Sequence, residues 1–266
     1  MSAAPCPPRA RRTLGSARTR VHLRHAHGNP HEETAIDLRV HPDEATLARA
    51  AADVIAAAVT DAVARAGRCA IAFSGGRGPG PMLGALARRD VPWSRVQVFQ
   101  VDERVAAEGH ADRNLTLLRT ALLDRVPIPD EHIHPMPVED DDLDAAAAAY
   151  DQVLTEVAGG RLDVVHLGLG PDGHAASWPP GDAVVDARAL VAATGRFNGY
   201  RRLTLTPRAI ATAPTIVWLV SGRDKRPALT RLLAGDPTIP ATRAKRDGAI
   251  VLADAAAAPD GGAITE

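Results

Sequence analysis

Two hydrophobic patterns alternate along this chain. One is a short unbroken apolar run that ends in glycine or proline; the other is a longer stretch with apolar residues on one helical face. Pro42 and Asp43 can start a helix, in which Leu47, Ala50, Ala51, Val54, Ile55, Ala58, Ala62 and Val63 share a face, and Gly67 ends it. Cys69 to Phe73 then reads as a buried strand, followed by Ser74-Gly75-Gly76-Arg77-Gly78-Pro79-Gly80 and a helix over Met82 to Ala87. Val96 to Val101 is the next strand, running into Asp102-Glu103-Arg104, and a helix spans about Asn114 to Arg125. The acidic run Glu139 to Asp144 leads into an alanine-rich helix ending near Gly159. A strand over Val164 to Leu167 precedes short strands at Leu190 to Ala193 and Leu203 to Leu205, then a helical turn at Pro207 to Thr212. The strand Thr215 to Val220, the helix Lys225 to Leu233 and the strand Ala249 to Leu252 complete the pattern. Strands alternating with helices predict an α/β fold, a mostly parallel sheet with helices on both faces.

Outside this pattern lie the two ends. Residues 1–34 carry six arginines (Arg9, Arg11, Arg12, Arg18, Arg20 and Arg24) before the first carboxylate, Glu32, and have no signal-peptide-like segment. They read as a disordered basic leader to one domain over residues 35–258, with a flexible tail over 259–266. The cluster His22, His25, His27 and His31 lacks a second shell and is not counted as a metal site. A net charge of −1 provides no field for nucleic acid or an anionic membrane, and few aromatics argue against base-stacking platforms. Two distant cysteines, Cys6 and Cys69, fit a reducing cytoplasm, and no apolar run is long enough to span a membrane.

Candidate chemistry concentrates where apolar strands break. After Val164 to Leu167 comes Gly168-Leu169-Gly170-Pro171-Asp172-Gly173-His174, an acid and a histidine two residues apart at a strand's carboxyl end. Ligands bind at that end of an open α/β sheet, and a histidine with a nearby acid to fix its tautomer is equipped for general acid/base work. His166, inside the strand, reads as a core residue making one hydrogen bond. Ser74-Gly75-Gly76 offers free backbone N–H groups ahead of a helix, which suits a phosphate. Arg104, Arg202 and Lys225 follow or border strand ends and could close around the same anion. Asp102 reads equally as a reactive group or as a turn or helix cap. No Gly-x-Ser-x-Gly elbow, Walker loop or clean dinucleotide fingerprint is present.

These motifs, in this order, resemble the 6-phosphogluconolactonases over roughly residues 36–255. The elements are Ser74-Gly75-Gly76; Asp102-Glu103-Arg104 with Asn114; Pro171-Asp172-Gly173-His174 with Ala176-Ser177; and Arg202-Leu203-Thr204-Leu205-Thr206 with Gly222-Arg223-Asp224-Lys225. The resemblance implies a modified Rossmann-type sheet and hydrolysis of 6-phospho-D-glucono-1,5-lactone to 6-phospho-D-gluconate without metal or cofactor. It makes His174 catalytic and Asp172 its support. It makes Ser74, Gly75, Gly76, Arg104 and Lys225 phosphate ligands, with Arg202 a further candidate and Asp102 and Asn114 substrate contacts. Expected partners are the sugar phosphate lactone alone, with no nucleic acid or membrane, in a monomer or weak homo-oligomer. Four departures stand out: Arg77-Gly78-Pro79-Gly80 replaces Ser/Thr-Pro, Val101 and Arg113 replace a glycine and a serine, Ala175 replaces threonine, and Trp178-Pro179-Pro180-Gly181 replaces Leu-Phe-Pro-Gly. The alternatives are an amino-sugar-phosphate deaminase/isomerase, whose Asn-Glu pair is missing after His174, and a sugar-phosphate-binding regulator without turnover.

Overall fold

The computed structural model describes residues 17–23, 34–76, 78–245 and 247–259. Much of the basic leader, three of its four histidines, Arg77 and the tail from residue 260 lie outside the described residues.

Strands β2 (Thr34–His41), β3 (Cys69–Phe73), β4 (Val96–Gln100), β6 (Ile133–His134), β7 (Val164–Gly168), β10 (Thr215–Val220) and β11 (Ile250–Asp254) join β1 (Ala17–Leu23) in one sheet. Its order is β1-β2-β11-β10-β7-β3-β4-β6. Every pairing is parallel except β1 with β2. β1 departs from the expectation of an unstructured leader over residues 1–34: Ala17–Leu23 pairs antiparallel along β2, satisfying backbone groups that an edge would leave open.

The central strands are apolar without interruption because both faces are covered. In β3, Cys69, Ile71 and Phe73 face α1 (Glu44–Ala66), α2 (Gly80–Leu86) and α3 (Asn114–Ala121). Ala70 and Ala72 face the opposite core, where α4 (Leu143–Ala158), α5 (Pro207–Ile210) and α6 (Arg226–Ala234) pack. Alternation of side chains along a strand produces this division. Asp43 caps α1 by accepting from the Thr46 N–H at 2.7 Å, and Gly67 ends it at φ +73°. The buried stripe of α1 is shifted from the expected one: Ala48, Ala52, Ala56 and Val59 are buried, whereas Ala50, Val54, Ala58 and Val63 are only partly so.

A second, antiparallel sheet was not expected. It has the order β5-β9-β8, with β5 (Asp102–Arg104), β8 (Val191–Phe197) and β9 (Tyr200–Leu205). β5 follows β4 after one residue, and the Leu205 N–H donates to the Val101 carbonyl at 2.7 Å, so this small sheet stands at the carboxyl end of the large one. Trp178, one of the departures, is fully buried there and its indole N–H donates to the Leu205 carbonyl at 2.8 Å.

Candidate active site

The register sets the site. Phe73 of β3 pairs with His166 of β7 and with Gln100 of β4, and Leu219 of β10 pairs with Gly168 of β7. Neighbouring strands β10, β7, β3 and β4 therefore end at one level, within about 15 Å at a strand spacing near 4.8 Å. Lys225 follows β10, His174 follows β7, Ser74-Gly75-Gly76 follows β3, and Asp102 to Arg104 follows β4. The chain runs from β3 to β4, then returns to the other side of β3 with β7. The crevice between β3 and β7 is thus a topological switch point, where open α/β sheets bind ligands.

The loop after β7 is built around two glycines. A Cβ on Gly170 would lie 2.0 Å from His174 Nδ1 and 2.6 Å from Asp172 Oδ1, so the dyad rests directly on bare backbone. Gly173 has φ +87°, and a Cβ there would meet the Ile239 side chain at 2.6 Å. Its carbonyl accepts from the Ala241 N–H at 3.0 Å, anchoring the loop to the body of the protein. His174 Nδ1 lies 2.5 Å from Asp172 Oδ1, with the imidazole 23% and the carboxylate 40% exposed. Partial burial pushes the Asp172 carboxyl up, but the hydrogen bond and charge of His174 more than reverse this and leave it below the usual carboxylate value. The His174 ring meets Phe197 edge to face at 4.9 Å between centroids.

Arg202 occupies the other side of this arrangement. Its guanidinium carbon lies 5.2 Å from the Phe197 ring centroid, and Nε and Nη2 donate to the Phe197 carbonyl at 3.2 and 3.1 Å. Nη1 donates to Ser177 Oγ at 3.4 Å and pairs with Asp102 Oδ2 at 3.6 Å. Burial pulls Arg202 below its ordinary value against the opposing attraction of Asp102. The Asp102 carboxylate also accepts from the Ser177 hydroxyl at 2.6 Å. Asp102 is no helix cap; its neighbour Glu103 fills that place, accepting from the Asn114 and Leu115 N–H groups at 2.8 and 2.9 Å.

In the phosphate turn, Ser74 is buried and its hydroxyl has no partner among the described residues. Gly75 is pressed against Asn114, whose Cγ would lie 2.3 Å from a Cβ on it, and Gly76 has φ +91°. Asn114 donates through Nδ2 to the Asp102 carbonyl at 2.8 Å. Arg104 sits opposite Arg202 in the β5–β9 register and donates to the Asp112 carbonyl at 2.6 Å. Lys225 pairs with Asp224 at 3.2 Å and remains partly exposed. Its turn is held by Asp254, which accepts from the Ser221 hydroxyl at 2.7 Å and the Gly222 N–H at 3.0 Å.

The elements that carry the expected residues therefore end at one edge of the sheet. Arg202 and Asp102 are engaged with each other and with Ser177 and Phe197. His166 is buried in β7 with both ring nitrogens unpartnered among the described residues, not singly hydrogen-bonded. Sequence reasoning missed the parts played by Gly170, Phe197 and Glu103. For Phe197 a signal existed: the Asn198-Gly199 dipeptide marks a two-residue hairpin turn.

Among the described residues no helix is long and apolar enough to cross a membrane. A 6-phosphogluconolactonase of Nostoc sp. is 38% identical over 203 residues, covering 74% of this chain and 85% of that one. One of Mycobacterium tuberculosis is 37% identical over 223 residues, covering 78% and 90%. The crystal structure of 6-phosphogluconolactonase from Thermotoga maritima superposes with a TM-score of 0.75 at 25% identity, over 82% of this chain and 99% of that one. With residues 42–252 matching it, the chain belongs to the family of glucosamine-6-phosphate isomerases/6-phosphogluconolactonase.

Proposed function

We propose that this site hydrolyses 6-phospho-D-glucono-1,5-lactone to 6-phospho-D-gluconate in the oxidative branch of the pentose phosphate pathway. One observation carries the reading. The His174–Asp172 pair stands at the end of β7, between a lysine-bearing turn on one side and the glycine turn and Arg104 on the other. The likeness to the lactonases named above supports it further.

In this reading Asp172 keeps the proton of neutral His174 on Nδ1, which leaves Nε2 as the base. Nε2 takes a proton from water as the water oxygen attacks the lactone carbonyl. The imidazolium, stabilised by Asp172, then gives that proton to the departing ring oxygen. Such acid/base catalysis is typically worth about 10² to 10⁴-fold, enough for an ester already activated by its ring. Ser74, Gly75, Gly76, Arg104 and Lys225 bind the phosphate and place the carbonyl, while Asn114 backs the glycine turn. Arg202 and Asp102 act inside the wall, fixing Phe197 and Ser177 beside the histidine. We place the enzyme in the cytoplasm as a monomer or weak homo-oligomer, a setting that the free, buried Cys69 supports.

The test is decay of enzymatically generated 6-phosphogluconolactone with and without protein. Decay well above the spontaneous rate is expected; decay at the spontaneous rate with folded protein overturns the reading. Adding glucosamine 6-phosphate tests the deaminase alternative, for which no ammonia release is expected.

A further inference from the structure

Helix α3 begins without a side-chain cap of its own, since Arg113 at the capping position makes no such bond. Glu103 supplies the cap from β5. Its Oε1 accepts from the Arg104 N–H at 2.7 Å and the Asn114 N–H at 2.8 Å; its Oε2 accepts from Leu115 N–H and Gln100 Nε2, both at 2.9 Å. The carboxylate is fully buried, and its charge is met by Arg113 Nε at 3.1 Å, itself 2% exposed. The Arg113 guanidinium also pairs with Glu139 and donates to the Ala106 carbonyl at 2.8 Å. Gln100, the fourth donor, accepts in turn from the Met136 N–H at 2.8 Å.

One saturated carboxylate thus fixes the backbone of Arg104, the start of α3 and the end of β4. Of the side chains carried by that backbone, Asn114 lies against Gly75 of the anion turn, and Arg104, in β5 beyond the end of β4, has its guanidinium held by the Asp112 carbonyl just ahead of α3. A buried charge persists only where its lone pairs are filled and a counter-charge is close, and both conditions are met here. Arg113 is also where this chain departs from the serine of the resembled motif, so the counter-charge belongs to this sequence.

We propose that Glu103, paired with Arg113, which Glu139 holds in turn, is the positioning residue of the anion-binding half of the site. It sets Arg104 and Asn114 against the Ser74-Gly75-Gly76 turn and so governs affinity for the phosphorylated substrate rather than the chemistry at His174. This rests on the phosphate reading of that crevice given above.

The test compares Glu103→Gln, the double variant Glu103→Gln/Arg113→Met, and Glu139→Gln with the wild-type chain. In Glu103→Gln an amide N–H faces backbone donors. KM for 6-phosphogluconolactone, and Kd for 6-phosphogluconate by calorimetry, should rise about 10- to 100-fold, the size of effect expected when buried hydrogen bonds to a charged group are lost, with kcat within about threefold. The double variant removes both charges, so it should regain thermal stability without regaining KM. Glu139→Gln lies at a half-exposed position and should raise KM about threefold, because Arg113 keeps its pair with Glu103. Recovery of KM together with stability in the double variant would reduce Glu103 to a structural role and overturn the proposal. So would unchanged KM and Kd in the folded variants. A wild-type chain that binds 6-phosphogluconate but turns over no lactone refutes the catalytic reading and leaves this proposal to the Kd series. A wild-type chain that binds none refutes both.

Discussion

Two carboxylates at the same sheet edge are handled in opposite ways. Asp172 is 40% exposed and touches little beyond His174, whose ring nitrogen and backbone N–H lie 2.5 and 3.2 Å from Oδ1. Glu103 is completely buried, accepts four hydrogen bonds and is paired with a buried arginine. A group that supports proton transfer must let its partner change charge during each turnover, so it is kept near water and lightly bonded. A group that only fixes geometry gains from saturation, because each bond filled raises the cost of every alternative arrangement. Under the proposed function burial at this site sorts roles: the partly exposed Asp172–His174 pair carries the proton transfer, and the buried Glu103 holds geometry.

The sharpest way to break this comparison is at the exposed pair. His174→Ala should lower kcat by about 10² to 10⁴-fold, the range for loss of an acid/base group, while thermal stability stays within about 0.5 kcal/mol. A comparable fall in stability, read by calorimetric melting, would mean that His174 is structural and the sorting by burial is wrong. Next in size is Gly170→Ala. The new methyl group would lie 2.0 Å from His174 Nδ1, so the ring or the loop must move. A displacement of that order should cost about 10²-fold in kcat, with little change in KM because the anion turns lie on other strands. Equal losses in kcat and in affinity for 6-phosphogluconate would show that the two halves of the site are not independent.

The exposed half is legible in sequence and the buried half is not, for a physical reason. Asp172 and His174 flank Gly173, two residues apart, so their contact is local and the pattern carries it. The bounds of α1 are legible in the same way, from Asp43 and Gly67 at its ends. The partners of Glu103 come from positions 100, 104, 113, 114 and 115, with Glu139 beyond, and only the folded sheet brings them together. The small sheet was concealed differently. Its hairpin turn, Asn198 at φ +48° and Gly199 at φ +86°, is a strong local signal, but Arg196, Arg201 and Arg202 interrupt the apolar pattern on which strand reading depends. β1 carries a strand signal of its own, Thr19, Val21 and Leu23 alternating with arginine and histidine at a period of two, which the basic composition of the surrounding segment outweighed.

The comparison extends to histidines, at a smaller scale. His166 lies on β7 eight residues before His174, fully buried, with no hydrogen-bond partner among the described residues, and burial pushes it down to about 4. Unfolding returns it to an ordinary value near 6.5, so the unfolded chain takes up a proton first as pH falls. Its contribution to stability is therefore complete above about pH 6.5 and is lost progressively toward pH 4. At pH 5 the loss is about 2 kcal/mol, from roughly 1.4 kcal/mol per pH step across that window. Replacing His166 with Leu removes this proton uptake. The difference in unfolding free energy between pH 8 and pH 5, measured by urea titration, should shrink by about that amount in the variant, whatever the substitution does to stability at pH 8. An unchanged difference would mean that the buried imidazole finds a partner or water on protonation, and that burial does not by itself separate His166 from the histidine proposed to act as base, His174.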